Sequence, residues 1–118
     1  MKIALVIDGN HVGGAGEGKE IVIVDSEKNY EIVERFDNPA LTAESSRGIV
    51  MLSTVYKKGV TSIIVGHIGP HAFTFTKNRM TVYDGNGLTL KQAIESFKNN
   101  MLPEITKDIA ARMHEHHH

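Results

Sequence analysis

TSIIVGHIGPHAFTFTK, residues 61–77, carries a strand, a turn and the start of a helix in one run, and its reading sets the architecture of the chain. Residues 61–65 are β-branched and apolar at nearly every position, as in a strand covered on both faces. Gly66-His67-Ile68-Gly69-Pro70 then turns the chain. Pro70, which has no N–H to lose and a fixed φ, suits the first turn of a short helix over residues 71–77. A further strand follows at 80–83. A strand, a helix and a second strand in this order imply a right-handed crossover and parallel pairing.

Working outward, residues 2–7 form another nearly continuous apolar run. Glu20–Asp25 and residues 30–36 are separated only by the turn Glu27-Lys28-Asn29, so they read as an antiparallel hairpin. Asn38-Pro39 breaks the chain. From about 43 to 58 the period becomes helical, with Ile49, Leu52, Val55 and Tyr56 on one stripe and Gly59 at the C′ position. Asp84-Gly85-Asn86-Gly87 is a turn. The last clear helix begins at Thr89, where Thr89 and Gln92 have capping-box spacing, and it buries Leu90, Ala93, Ile94 and Phe97. Beyond Pro103, Ile105 and Ile109 permit one more weak helix. The order β-β-β-α-β-α-β-α predicts an α/β domain with a five-stranded mixed sheet, strand order 3-2-1-4-5, strand two antiparallel, and helices on both faces.

The chain has 118 residues, enough for one domain with a real core. Its 13 basic and 14 acidic residues provide no field for nucleic acid or an anionic membrane surface. The apolar runs are too short to span a membrane, and residues 1–8 read as a first strand rather than a signal peptide, so a cytoplasmic protein is expected. With no cysteine, disulfides, thiol chemistry and protein-thiolate clusters are excluded, and any metal must be held by His, Asp, Glu or main-chain atoms. Four of the seven histidines lie in the last five residues, where Glu115 interrupts the run. This tail takes no part in the expected fold.

HVGGAGEGKE, residues 11–20, has the spacing of a phosphate-binding loop through Gly13, Gly18 and Lys19. Glu20 stands where a hydroxyl must hold magnesium, and a strand follows where a helix is required. A mobile glycine-rich linker between strands is the better reading.

In the predicted sheet, strands one and four are neighbours whose following loops leave from the same edge. Ligands bind at such a switch point in open α/β sheets. The first loop carries Asp8, Asn10 and His11; the second carries Gly66, His67 and Gly69, with His71 just inside the helix. Three histidines are therefore expected on one rim, as ligands for a divalent transition metal or a bound cofactor. The glycine turn opening a helix also suits a small anion or nucleotide-like ligand. A metal-dependent nuclease is disfavoured, because Asp8 and Asp25 do not complete a carboxylate set for two magnesium ions.

Met1-Lys2-Ile3-Ala4, Ile21-Val22-Ile23-Val24-Asp25, Lys58-Gly59-Val60, Gly66-His67-Ile68-Gly69-Pro70-His71-Ala72, Val82-Tyr83 and Ala93-Ile94-Glu95-Ser96-Phe97 run in an order that resembles the dinitrogenase iron–molybdenum cofactor-binding family, the NifX-like and NifB-associated small domain. The resemblance covers residues 1–102 and leaves 103–118 as a C-terminal extension with the His-rich tail. It implies a ribonuclease-H-like three-layer fold. It also implies a non-enzymatic carrier of an iron–sulfur or iron–molybdenum-type cluster, with a metallocluster or metal donor or acceptor protein as partner. Family members carry His-Phe-Gly in the first loop, where this chain has His11-Val12-Gly13. His67 and His71 stand where glycine and a basic residue are common, which adds weight to a histidine-rich metal site.

Overall fold

The computed structural model describes residues 1–115, so His116, His117 and His118 of the expected His-rich tail lie outside the described residues. The strands are β1 (Lys2–Asp8), β2 (His11–Val12), β3 (Glu20–Asp25), β4 (Glu31–Asp37), β5 (Val60–Val65) and β6 (Thr81–Asp84). The helices are α1 (Arg47–Lys57), α2 (Pro70–Thr76), α3 (Leu90–Lys98) and α4 (Lys107–Glu115).

The main path of the sheet runs β4-β3-β1-β5-β6, the order expected from the connections. β3 is antiparallel to both β1 and β4, while β5 is parallel to β1 and to β6. The expected count of five strands is corrected to six, because the two-residue β2 pairs antiparallel with β1. It forms because Gly9, at φ +69°, lets the chain fold straight back and set His11 opposite Asp8. β3 occupies one edge of β1 as far as Ile7, so β2 takes the other edge, beyond the last β5 pair at Leu5. Two residues are too few to register as a hydrophobic period.

Alternation within the buried strands supplies two cores. Ala4, Val6, Ile21, Ile23, Ile63 and Val65 pack on one face with Met51, Leu52 and Val55 of α1 and Ala72 of α2. Ile3, Leu5, Ile7, Val22, Val24 and Ile64 pack on the other with Ala93, Ile94 and Phe97 from α3. Helices on both faces explain the unbroken apolar runs of β1, β3 and β5. None of the helices among the described residues is long and apolar enough to cross a membrane.

Two boundaries differ from expectation. α1 starts at Arg47 rather than near 43, because Pro39–Thr42 forms a separate 3-10 turn and Ser46 adopts a left-handed φ of 52°. Its buried stripe is Met51, Leu52 and Val55, and Tyr56 is exposed. α3 begins as expected: Thr89 Oγ1 accepts from the Gln92 N–H at 3.2 Å and Gln92 Oε1 accepts from the Thr89 N–H at 3.0 Å.

Candidate functional site

The loops after β1 and β5 meet at one end of the sheet. The glycine-rich segment 13–18, expected to be a mobile linker, is tied into this rim. Gly13 N–H donates to Val6 O at 2.9 Å, Ala15 N–H to His67 O at 2.9 Å, and Gly66 N–H to Gly13 O at 2.8 Å. Asn38 reaches in from beyond β4, and its side-chain amide donates to Ala15 O at 3.1 Å and Gly18 O at 2.9 Å. Ala15 is buried beneath. Gly66 suits this closeness, since a Cβ there would stand 3.2 Å from Val12 O and 3.3 Å from Asn86 Oδ1, a tight fit.

His67 emerges where these strands join. Its side chain is mostly buried, and its Nδ1 lies 3.9 Å from the exposed Glu17 carboxylate. Clefts open on either side of it. One, of about 810 Å³, lies between the Gly13-Gly14 segment, Glu17, Gly66, Asp84, Asn86 and α4. The other, of about 550 Å³, lies between residues 15–17, the start of α1 at Ser46 and Arg47, and residues 67–72.

The turn 66–72 thus delivers two of the expected histidines to one cleft. His67 and His71 both line the smaller one, with Gly69 between them at the N-cap of α2. His11 lines neither, being exposed on β2 with its backbone bridged to Thr89. Among the described residues no group of three or more His, Asp or Glu is placed to hold a metal ion. Asp8 and Asp25 also stay apart. Asp25 pairs opposite Lys2 at the far end of β1, about 20 Å from Asp8 at roughly 3.3 Å per residue. There the Glu27 N–H, at 2.9 Å, and the N-terminal ammonium hold its carboxyl below the usual 3.8.

Sequence reasoning missed Glu17, Arg47, Arg112 and Met113. Glu17 sits within the glycine-rich segment whose phosphate-loop spacing was set aside, the others come from segments without a motif, and only folding brings them to the rim. Asp84 was readable as a turn residue, and its Oδ1 does accept from the Asn86 N–H at 2.9 Å while the residue also lines the larger cleft.

The sequence model of the dinitrogenase iron–molybdenum cofactor family matches residues 1–100, spanning the sheet, both cleft-forming loops and α3. The chain belongs to the dinitrogenase iron–molybdenum cofactor family. An uncharacterized protein of Methanocaldococcus jannaschii is 34% identical over 111 residues, covering 89% of this chain and 92% of the relative. The apo form of the orange protein from Desulfovibrio gigas superposes with a TM-score of 0.75 at 26% identity, covering 89% and 92% of the two chains. A Thermotoga protein assigned to NifB superposes at 0.70 with 24% identity, covering 87% of this chain and 91% of its own, and shares the fold. His67 and His71 of the rim turn lie within the matched residues, and α4 lies beyond them.

Proposed function

We propose that the chain is a non-enzymatic carrier of a metal–sulfur cluster of the iron–sulfur or iron–molybdenum type, received from one metallocluster protein and passed to another. The observation that carries this reading is the placement of His67 and His71, from a single turn, on one cleft at the switch point of a sheet in this family. The donor chemistry fits a cluster that arrives with its own inorganic sulfides. Thiolates are absent, and the described His, Asp and Glu residues form no three-ligand group. Such a cluster needs N–H donors for its outer atoms and one or two imidazoles, rather than a cage of side chains. His67, His71 and the backbone at Gly69 supply these, with His11 at the outer end of the rim; the Gly66 N–H is already given to Gly13 O. A ribonuclease-H-like classification and a cytoplasmic location belong to the same proposal.

Anaerobic reconstitution with iron and sulfide tests it, in the full chain with His114, His116, His117 and His118 replaced by Ala. The expected result is a visible cluster chromophore that His67→Ala or His71→Ala weakens by about tenfold in affinity, the scale on which metal-site shells act. Lys98→Ala, on the opposite face of the sheet, leaves it unchanged. Full loading of the His67→Ala/His71→Ala double variant would contradict the reading.

One observation favours a second reading, a regulatory module for a small anion or nucleotide-like ligand. Arg47 lines the same cleft as Gly69 and His71, at the start of a helix whose Ser46 makes no side-chain cap. Saturable phosphate binding lost in Arg47→Gln, with no cluster uptake, would put this reading first.

A further inference from the structure

From Ser45 to Tyr83 the chain carries no Asp or Glu, and the charged side chains there, Arg47, Lys57, Lys58, Lys77 and Arg79, are all basic. The remainder is acidic, since the formal net charge of the whole is −1 at pH 7. Folding gathers the basic segment into one layer. α1 and α2 pack on the same face of the sheet, so close that a Cβ on Gly48 would stand 2.8 Å from Ala72 Cβ.

The middle of this layer is uncharged. Met51, Leu52 and Val55 turn inward, which leaves Val50, Ser53 and Lys57 outward at i, i+3 and i+7. An exposed helix ordinarily carries charge along such a stripe, yet α1 has it only at its ends, on Arg47 and Lys57. α2 has no Lys, Arg, Asp or Glu. Tyr56, 44% exposed, and Phe75 flank the Arg79 guanidinium at 6.0 Å and 4.4 Å from their ring centres. Arg79 Nη1 also donates to Phe75 O at 2.7 Å, so the stack bridges the two helices in a fixed arrangement. The flanking elements do not reverse the sign. Glu34 of β4 is paired with Lys58 at 2.6 Å, and Glu104 lines a groove together with Lys77 and Lys107.

An uncharged centre, an aromatic–arginine anchor and a charged rim are the anatomy of a protein–protein interface. We infer that the α1–α2 face docks the acidic surface of a partner protein. A second copy of this chain is a poor occupant, since two-fold pairing would set basic rims against each other. A membrane is a poor one too, because Val50, Ser53 and Thr54 are short, half-buried side chains with no reach into lipid. The N-terminal ends of both helices, at Arg47 and His71, line the smaller cleft, so a protein seated here reaches the cargo site. The inference deepens the carrier reading by placing the partner and giving its sign, and rests on that reading only for what passes between them.

The test uses the cargo-free full chain with its four tail histidines replaced by Ala. Two probe proteins are titrated at low ionic strength and followed by amide shifts: a plant-type ferredoxin, small and acidic, and cytochrome c, small and basic. Ferredoxin should bind saturably, with shifts at residues 50–57 and 74–79 that fade as salt is raised, and cytochrome c should leave this face unperturbed. Lys57→Glu/Lys77→Glu, both at exposed positions, should weaken ferredoxin binding about tenfold, and Tyr56→Ala by a similar factor. Lys91→Glu on α3 should leave it unchanged. Absence of ferredoxin binding, an unchanged affinity in the rim variant, or shifts centred elsewhere overturns the inference. Self-association of the chain that Tyr56→Ala abolishes would give the face to a second copy. Co-sedimentation with phosphatidylglycerol vesicles that the rim variant abolishes would give it to a membrane, and either result also overturns the inference. Because no cargo is present, these outcomes leave the carrier reading standing; that reading fails in the reconstitution instead.

Discussion

Asn38 does more for the rim than its place beside Pro39 announces. Buried at 2% exposure, it donates to two carbonyls of the glycine-rich segment and accepts from the Ala40 N–H at 2.9 Å. Asn38→Ala removes these bonds and strands two buried carbonyls, at a cost of about 2–3 kcal/mol by the usual worth of such bonds. Urea unfolding should show that loss, and amide exchange should accelerate across residues 13–18. Asp25 gives a pH-dependent counterpart. Its folded pKa is depressed, chiefly by the Glu27 amide and then by the N-terminal ammonium, so its stabilisation is present above the unfolded value near 3.8. It is lost as pH falls through the lower folded value. The stability advantage of the parent over Asp25→Asn should therefore be full at neutral pH and shrink under acid, as measured by denaturant midpoints. An advantage that grew under acid would contradict the assignment. From sequence, Asn38 read as a chain breaker and Asp25 as a strand end; each accepts from an N–H two residues on, but residues 15 and 18 for Asn38 and the N-terminus for Asp25 are brought to them only by the fold.

Among the elements, those with internal signals were legible and those made by tertiary contact were not. The capping box of α3, the αL glycine after α1 and the apolar runs of β1, β3 and β5 all carry their causes in neighbouring residues. β2 exists because β1 leaves an edge beyond β5, and α1 begins late because Ser46 is left-handed, so neither boundary had a local cue. α3 also bears on the rim, since Val12 N–H donates to Leu88 O at 2.9 Å and His11 bridges Thr89 just before the helix. Thr89→Ala should cost about 1 kcal/mol through loss of the cap, and Thr89→Ser should restore most of it. Equal thermal stability of Thr89→Ala and parent would show that the cap contributes nothing.

For the whole molecule, connection lengths and crossover handedness were enough to order the five main strands, and that order sends the loops bearing His11 and His67 to the same end of the sheet. Direction along the rim was not readable. β2 turns His11 outward, while the 66–72 turn brings His67 and His71 to one cleft, to which α1 adds Arg47 and the glycine-rich segment Glu17; Arg112 of α4 lines the other cleft. The most direct test of the central claim, that this rim receives the cargo, is an amide-shift map. The full chain with its four tail histidines replaced by Ala is titrated anaerobically with tetrathiomolybdate and followed in two-dimensional nitrogen–proton spectra. The account predicts saturable shifts concentrated at residues 15–17, 46–49 and 67–72. Shifts centred instead on the α3 face, or no saturable shifts at all, would contradict it.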